Sequence, residues 1–156
     1  MSKIENDYVI IIGCGRFGSN VAEYLSSKRK SVVIIDKNED NFNLLTENFS
    51  GFTIEADGMD EDTLKSANIE KAAILLAATN NDNTNIMIAQ IAKKIYKVPT
   101  VIARVFDPTK HKIYEKYGIE TIKGIELASY FQSEFIDKKV EIHIVGLFID
   151  NKNKAL

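Results

Sequence analysis

Along the chain, short uninterrupted apolar runs alternate with stretches whose apolar positions recur every three to four residues. Tyr8–Ile12 is a β-prone run that stops at Gly13, the pattern of a strand buried on both faces of a parallel sheet. Phe17, Val21, Ala22 and Leu25 then recur at helical spacing up to the basic turn 28–30. Residues 31–35 are a second buried-type run, closed by the polar stretch 36–40. Phe42, Leu44 and Leu45 predict a short helix, and Phe52–Glu55, after Gly51, a third strand. Residues 60–67 read as a helix whose carboxylates sit in its first turn, where the helix dipole favours them. Residues 72–78 predict a fourth strand. Residues 85–96 predict a helix carrying Ile86, Ile88, Ala89, Ile91, Ala92 and Ile95, and Thr100–Val105, after Pro99, a fifth strand. Asp107-Pro108 opens a further helix with proline near its first position; Gly118 ends it, and 119–122 is a short sixth strand.

Six strands separated by five helices, joined by short connections, predict an α/β fold: a Rossmann-like, doubly wound, parallel six-stranded sheet. No repeat, low-complexity tract or linker interrupts residues 8–123. After them, 125–135 predicts one more helix and 140–149 a strand running into the turn-like 150–154. The expected organisation is a Rossmann-like domain over 1–135 and a C-terminal tail over 136–156, an appendage with no second strand–helix unit to pack against.

Composition narrows the function classes. At 156 residues the chain is about one domain's worth, and 45% apolar with 27% charged residues excludes wholesale disorder. Twenty Lys and Arg against 22 Asp and Glu leave a formal charge of −2, so no global basic field recruits nucleic acid or anionic lipid. The longest apolar runs fall far short of the roughly 20 residues that cross a bilayer, so no direct membrane insertion is expected. The short polar opening is no secretion signal, and with one cysteine the expectation is a cytosolic protein without an internal disulfide. Cys14 alone cannot build a multi-cysteine metal cage, nor can His111 and His143 build a histidine-rich one.

Directly after the first strand stands Gly13-Cys14-Gly15-Arg16-Phe17-Gly18, a G-x-G-x-x-G that opens an amphipathic helix. Asp36 follows Gly13 by 23 residues, at the end of the second strand, near the spacing of about 20 expected for a ribose-binding carboxylate. Gly13 permits the tight turn, Gly15 lets backbone N–H groups approach a pyrophosphate, and Gly18 lets helix and strand pack closely. Phosphates would rest on the helix N-terminus, where free N–H groups and the dipole favour anions. Asp36 would accept bonds from ribose hydroxyls and repel a 2′-phosphate. The Arg16 guanidinium either reaches phosphate oxygens with two parallel donors or is solvated at the surface. Cys14 reads as a small packing residue, with no His or Lys beside it in sequence to make it a nucleophile.

In these residues the chain resembles the RCK or KTN (TrkA-N) domains, cytosolic nucleotide-binding regulators of bacterial potassium transporters and channels, and in particular small TrkA/KtrA-type subunits. The resemblance runs from about Tyr8 to about Phe135. Its carriers are the glycine loop, Val33-Ile34-Ile35-Asp36-Lys37, Glu55-Ala56-Asp57-Gly58-Met59-Asp60, Ala78-Thr79-Asn80-Asn81-Asp82-Asn83-Thr84-Asn85 and Ile102-Ala103-Arg104-Val105-Phe106-Asp107-Pro108. The resemblance implies that Gly15, Arg16, Phe17 and Gly18, in the loop begun by Gly13 and Cys14, hold phosphates. It puts Asp36, with Lys37 beside it, on the ribose, Asp57 of Ala56-Asp57-Gly58 by the adenine, and Ala78 and Thr79 in the nucleoside pocket. Arg104 reaches phosphate or a neighbouring subunit. The implied ligand is NAD(H) or an adenine nucleotide (ATP, ADP or AMP). The implied assembly is a homodimer building a ring on a membrane potassium transporter or channel, peripheral to the inner face of the membrane. Two departures stand out: the family's Gly-Asp-Ala after strand three is Ala56-Asp57-Gly58 here, and Gly124 replaces a proline common after strand six. Many relatives continue into a second, smaller ligand-binding domain; 140–149 is either its opening strand or a strand donated to a partner.

The polar stretch 79–85 has two compatible readings, an N-cap at Asn81 or Asp82 and a lining of the ligand crevice, because strand C-terminal ends face that crevice. Arg104 can equally pair with a surface carboxylate. The rival class is an NAD-dependent oxidoreductase. Its best support is Tyr24 with Lys28, but that pair lies on the first helix, across the crevice from a nicotinamide, and reads as an (i, i+4) surface pair. His111 sits between Lys110 and Lys112, a solvated setting. No substrate domain accompanies the nucleotide fold, so the expectation is a regulator and not an enzyme. A nucleotide sensor with a target other than potassium transport is the remaining alternative.

Overall fold

The computed structural model describes residues 8–123. The helix expected over 125–135, the strand over 140–149 and the tail 136–156 lie outside the described residues. Six parallel strands form one sheet: β1 (Tyr8–Ile12), β2 (Ser31–Asp36), β3 (Phe52–Glu55), β4 (Ile74–Ala77), β5 (Thr100–Val105) and β6 (Glu120–Lys123). Their order across the sheet is β3-β2-β1-β4-β5-β6, the doubly wound order, with the switch in winding between β1 and β4. The register pairs Ile12 with Ile35 on one side and with Ala77 on the other, so the ends of β1, β2 and β4 lie level beneath the loops that follow them.

Successive side chains along the strands point to opposite faces of the sheet, and each face meets its own helices. Val9, Ile11, Val32, Ile34 and Leu76 pack with Phe17, Val21, Ala22 and Leu25 of α1 (Arg16–Ser27). Ile10, Ile12, Val33, Ile35, Leu75 and Ala77 pack on the other face with Leu64 of α2 (Glu61–Ser66) and Ile88 and Ala89 of α3 (Asp82–Gln90). A central strand so covered must be apolar at every position, which is why β1 shows no alternation in sequence.

The element boundaries carry the differences from the sequence reading. The Phe42 segment is a 3-10 turn over Glu39–Leu44 capped by Asn38, whose side chain accepts from the Asp40 amide. The helix expected to begin at Asn85 begins at Asp82, because Asn81 caps it by accepting the Thr84 amide at 2.9 Å. It ends in a widened turn over Ile91–Ile95, where the Tyr96 amide reaches back to the Ile91 carbonyl. After Asp107-Pro108 a single 3-10 turn, Pro108–Lys110, precedes α4 (His111–Lys116). His111 is half-buried and shares a 2.9 Å hydrogen bond with Thr121, so its setting is less solvated than its lysine neighbours suggested. No helix among the described residues is long and apolar enough to cross a membrane.

Candidate functional site

The ends of β1, β2 and β4 frame a crevice of about 540 Å3. Its centre is the turn from β1 into α1. Gly13 has φ +105, a conformation that side chains resist, and its amide donates to the Ile35 carbonyl at 2.8 Å. A Cβ on Gly18 would lie 1.8 Å from the Gly13 carbonyl oxygen, so the first turn of α1 lies directly on the end of β1. Gly15 is the opposite case: a Cβ there would meet nothing within 4 Å. Gly15 is also the N-cap of α1 and offers no side chain to the first helical amides; the first backbone bond of the helix is the Ser19 amide to the Gly15 carbonyl. The amides of residues 16–18 precede that bond, so the helix end presents uncapped donors beside open space.

Asp36 closes β2 across the loop. Its Oδ2 accepts the Cys14 amide at 2.7 Å, and its Oδ1 accepts the Asn38 amide at 2.9 Å and the Asn41 side-chain amide at 3.0 Å. A carboxylate has about four acceptor positions, so roughly one, on Oδ2, is left for a ligand. The carboxylate therefore also organises the loop that it shares with the ligand. At the outer rim the Lys37 ammonium lies 3.1 Å from Asp57 Oδ2, with both side chains largely exposed. Such a pair contributes about 1 kcal/mol or less. The Met59 amide, donating to Asp57 Oδ1 at 2.9 Å, and then Lys37 hold the Asp57 carboxyl below the usual carboxylate range.

Nine of the residues singled out from sequence line this crevice: Gly13, Gly15, Asp36, Lys37, Ala56, Asp57, Gly58, Ala78 and Thr79. Cys14, Phe17 and Gly18 are buried beneath it. Burial, then the charges of Asp36 and Glu23, pushes the Cys14 thiol up to about 11, and its Sγ lies 3.4 Å from the Asn41 carbonyl, the setting of a packing residue. Arg16 is exposed on the first turn of α1 and outside the lining. Arg104 is also outside the lining: its guanidinium stacks 4.4 Å from the Phe106 ring centre and 5.7 Å from that of Phe17. Burial lowers its pKa, the Asp82 charge opposes that, and its Nε is buried without a hydrogen-bond partner among the described residues.

The sequence reading missed Asn41, whose role rests on a 3-10 turn that brings it back to Asp36. It also missed Ile12, Ile35 and Ile88, apolar floor residues that look like any other core position. Asn80, Asn81 and Thr84 line the β4 end, as the crevice reading of 79–85 expects, and Asn81 caps α3 as well. The same stretch contains two ties that its composition did not reveal. Asn85, fully buried, bonds Thr79 and the Arg104 carbonyl. Asp82 accepts the Phe106 and Asp107 amides at 2.8 and 2.9 Å. Tyr24 and Lys28 line no part of the crevice; the Lys28 ammonium lies 5.5 Å from the Tyr24 ring centre on α1. Among the described residues no cluster of His, Cys, Asp and Glu has the makings of a metal site.

Comparison with known proteins agrees with this architecture. The chain is 36% identical over 118 residues to the Trk system potassium uptake protein TrkA of Streptomyces coelicolor, covering 76% of this chain and 53% of that protein. It is 38% identical over 124 residues to a TrkA homolog of Pyrococcus horikoshii, covering 80% of this chain and 51% of that one. The chain thus spans about half the length of these curated relatives. Similar solved structures include the Shewanella denitrificans Kef CTD in its AMP-bound form, with TM-score 0.65 and 21% identity, covering 95% of this chain and 94% of that one. GsuK bound to ADP gives 0.68 and 21%, covering 88% and 36%. The GsuK channel bound to NAD gives 0.62 and 18%, covering 78% and 22%. These structural likenesses speak to the fold. The family model of the TrkA-N domain matches residues 9–123, the whole of the sheet and its crevice, and the chain belongs to that family.

Proposed function

We propose that the crevice binds an adenosine nucleotide, either NAD(H) or ATP, ADP or AMP. On this reading the chain is a regulatory subunit of a potassium transporter or channel and not an enzyme. The observation that carries the reading is the uncapped N-terminus of α1 beside an open Gly15, facing a carboxylate with an acceptor position left on Asp36. The residues present fit such a ligand. The amides of 16–18 would receive phosphate oxygens with the helix dipole behind them. Asp36 would accept a ribose hydroxyl and repel a 2′-phosphate, and Ala56 and Asp57 would flank the adenine. Arg16, on the first turn, would meet outer phosphate oxygens. Arg104, held back by its two aromatic rings, is assigned to a neighbouring subunit. The names of the relatives, potassium uptake proteins, support the potassium pathway as the target, and the AMP-, ADP- and NAD-bound neighbours support the ligand class.

The mechanism is regulatory. Ligands of different phosphate charge and reach would favour different geometries of a homodimer or ring lying against the inner face of the membrane. Only that difference in affinity between states can move a gate. The test is a calorimetric titration of the purified chain with NAD, NADH, ATP, ADP and AMP, together with an assay for NADH oxidation across a panel of carbonyl substrates. Saturable binding without turnover is expected. Steady NADH oxidation would replace the regulator with an oxidoreductase, and no binding of any adenine nucleotide would remove the site.

A further inference from the structure

We propose that Thr79, its hydroxyl hydrogen pinned by the buried Asn85, is a hydrogen-bond acceptor that recognises a donor on the ligand beyond the phosphates, so that the site favours dinucleotides with a second ribose. The inference rests on the adenosine-nucleotide reading above and specifies it.

The polarity of Thr79 follows from the donors and acceptors around Asn85. Asn85 Nδ2 lies 3.0 Å from the Thr79 carbonyl and 2.9 Å from the Arg104 carbonyl. Carbonyl oxygens only accept, so the side-chain amide has one orientation and both its hydrogens are spent. Asn85 Oδ1 then accepts the Thr79 amide at 2.9 Å and lies 2.6 Å from Thr79 Oγ1. Two oxygens that close need a hydrogen between them, and only the hydroxyl has one. The other acceptor in reach, the Asn81 carbonyl, is 3.3 Å away and competes poorly. Thr79 Oγ1 keeps two lone pairs. One faces the Asn81 amide at 3.3 Å, and the other is left to the crevice that Thr79 lines.

Position decides what it reads. β2 and β4 flank β1, so a nucleotide with its ribose at Asp36 and its phosphates over Gly15 carries its far end toward Ala78 and Thr79. The lining there, Thr79, Asn80, Asn81 and Thr84, is uncharged. A terminal phosphate would bring anionic oxygens against an acceptor-only hydroxyl. A ribose hydroxyl or a carboxamide N–H would find a partner.

The experiment titrates the full chain and its Thr79→Val and Thr79→Ser variants with NAD, ADP-ribose, ATP and AMP. In the wild type, ADP-ribose binds more tightly than ATP. In Thr79→Val, which keeps the branched shape and removes the acceptor, the NAD-to-AMP affinity ratio falls about tenfold, one hydrogen bond's worth; Thr79→Ser restores it. A fall shared by ADP-ribose places the donor on the ribose, and one confined to NAD places it on the carboxamide; both support the assignment. An unchanged ratio in Thr79→Val, or tighter binding of ATP than of ADP-ribose by the wild type, overturns it while the adenosine site stands. Failure of the wild type to bind any of the four overturns both.

Discussion

Replacing Gly15 by alanine separates the ligand role of the loop from its structural role. The backbone there is extended, φ −78 and ψ −169, a conformation that alanine adopts without strain, and a Cβ has nothing within 4 Å to strike. Alanine gains about 0.4–1 kcal/mol by restricting the unfolded chain. It loses a similar amount, about 0.5–1 kcal/mol, because alanine is a poorer N-cap than glycine. The two nearly cancel, so the melting temperature should move by no more than about 2–3 °C. Binding behaves differently. A phosphate drawn onto the amides of 16–18 would occupy the space the methyl group enters, and losing one charge-assisted hydrogen bond costs about 1.5–3 kcal/mol. The expected result is a folded protein whose affinity for every adenine nucleotide falls by about 10- to 100-fold, read by calorimetry alongside a thermal melt. A variant that binds as tightly as the wild type would refute the placement of phosphates over Gly15.

Other outcomes follow from the same contacts. Gly18→Ala should destabilise the fold by about 2–3 kcal/mol in a denaturant melt, because its Cβ meets the Gly13 carbonyl at 1.8 Å and only a shift of α1 relieves the clash. Asp36→Ala should lower the melting temperature as well as the affinity, since it strands the Cys14 and Asn38 amides and the Asn41 side chain. Cys14 should resist alkylation at pH 8 in the native state and react once the chain is unfolded in urea. Its thiol keeps its proton in the folded state to about pH 11, whereas the unfolded thiol ionises near 9. Stability should therefore fall as pH rises from about 9 to 11, a slope that Cys14→Ala reduces in pH-dependent urea melts.

The strands and the glycine loop were legible because burial on both faces forces continuous apolar runs and because the β1–α1 turn admits few residues. Gly13, Gly15 and Gly18 each answer a different geometric demand: a positive φ, open space at the helix end, and close packing on the end of β1. What remained hidden depends on contacts between residues distant in the chain. Asn41 looks like a loop asparagine until the Glu39–Leu44 turn returns it to Asp36. Asn85 looks like a polar residue early in a helix, and only the approach of β5 gives its amide the Arg104 carbonyl. The family resemblance lets Arg104 on β5 reach phosphate or a neighbouring subunit, and Phe17 and Phe106 hold it outside the crevice. The boundary of α3 moved three residues because an asparagine cap at Asn81 is compatible with a crevice lining, and sequence alone assigns no priority between them.

The central claim, that an adenine nucleotide lies in the crevice above β1, is tested most directly by the backbone amide chemical shifts of the isotopically labelled chain during titration with AMP and with NAD. The account predicts saturable shifts at residues 15–18, at Asp36 and Lys37, and at Ala56 and Asp57, with NAD extending them to Thr79 and Asn80. Shifts confined elsewhere, for example to the small cleft lined by Lys65, Asn68, Glu70 and Lys71, would contradict it.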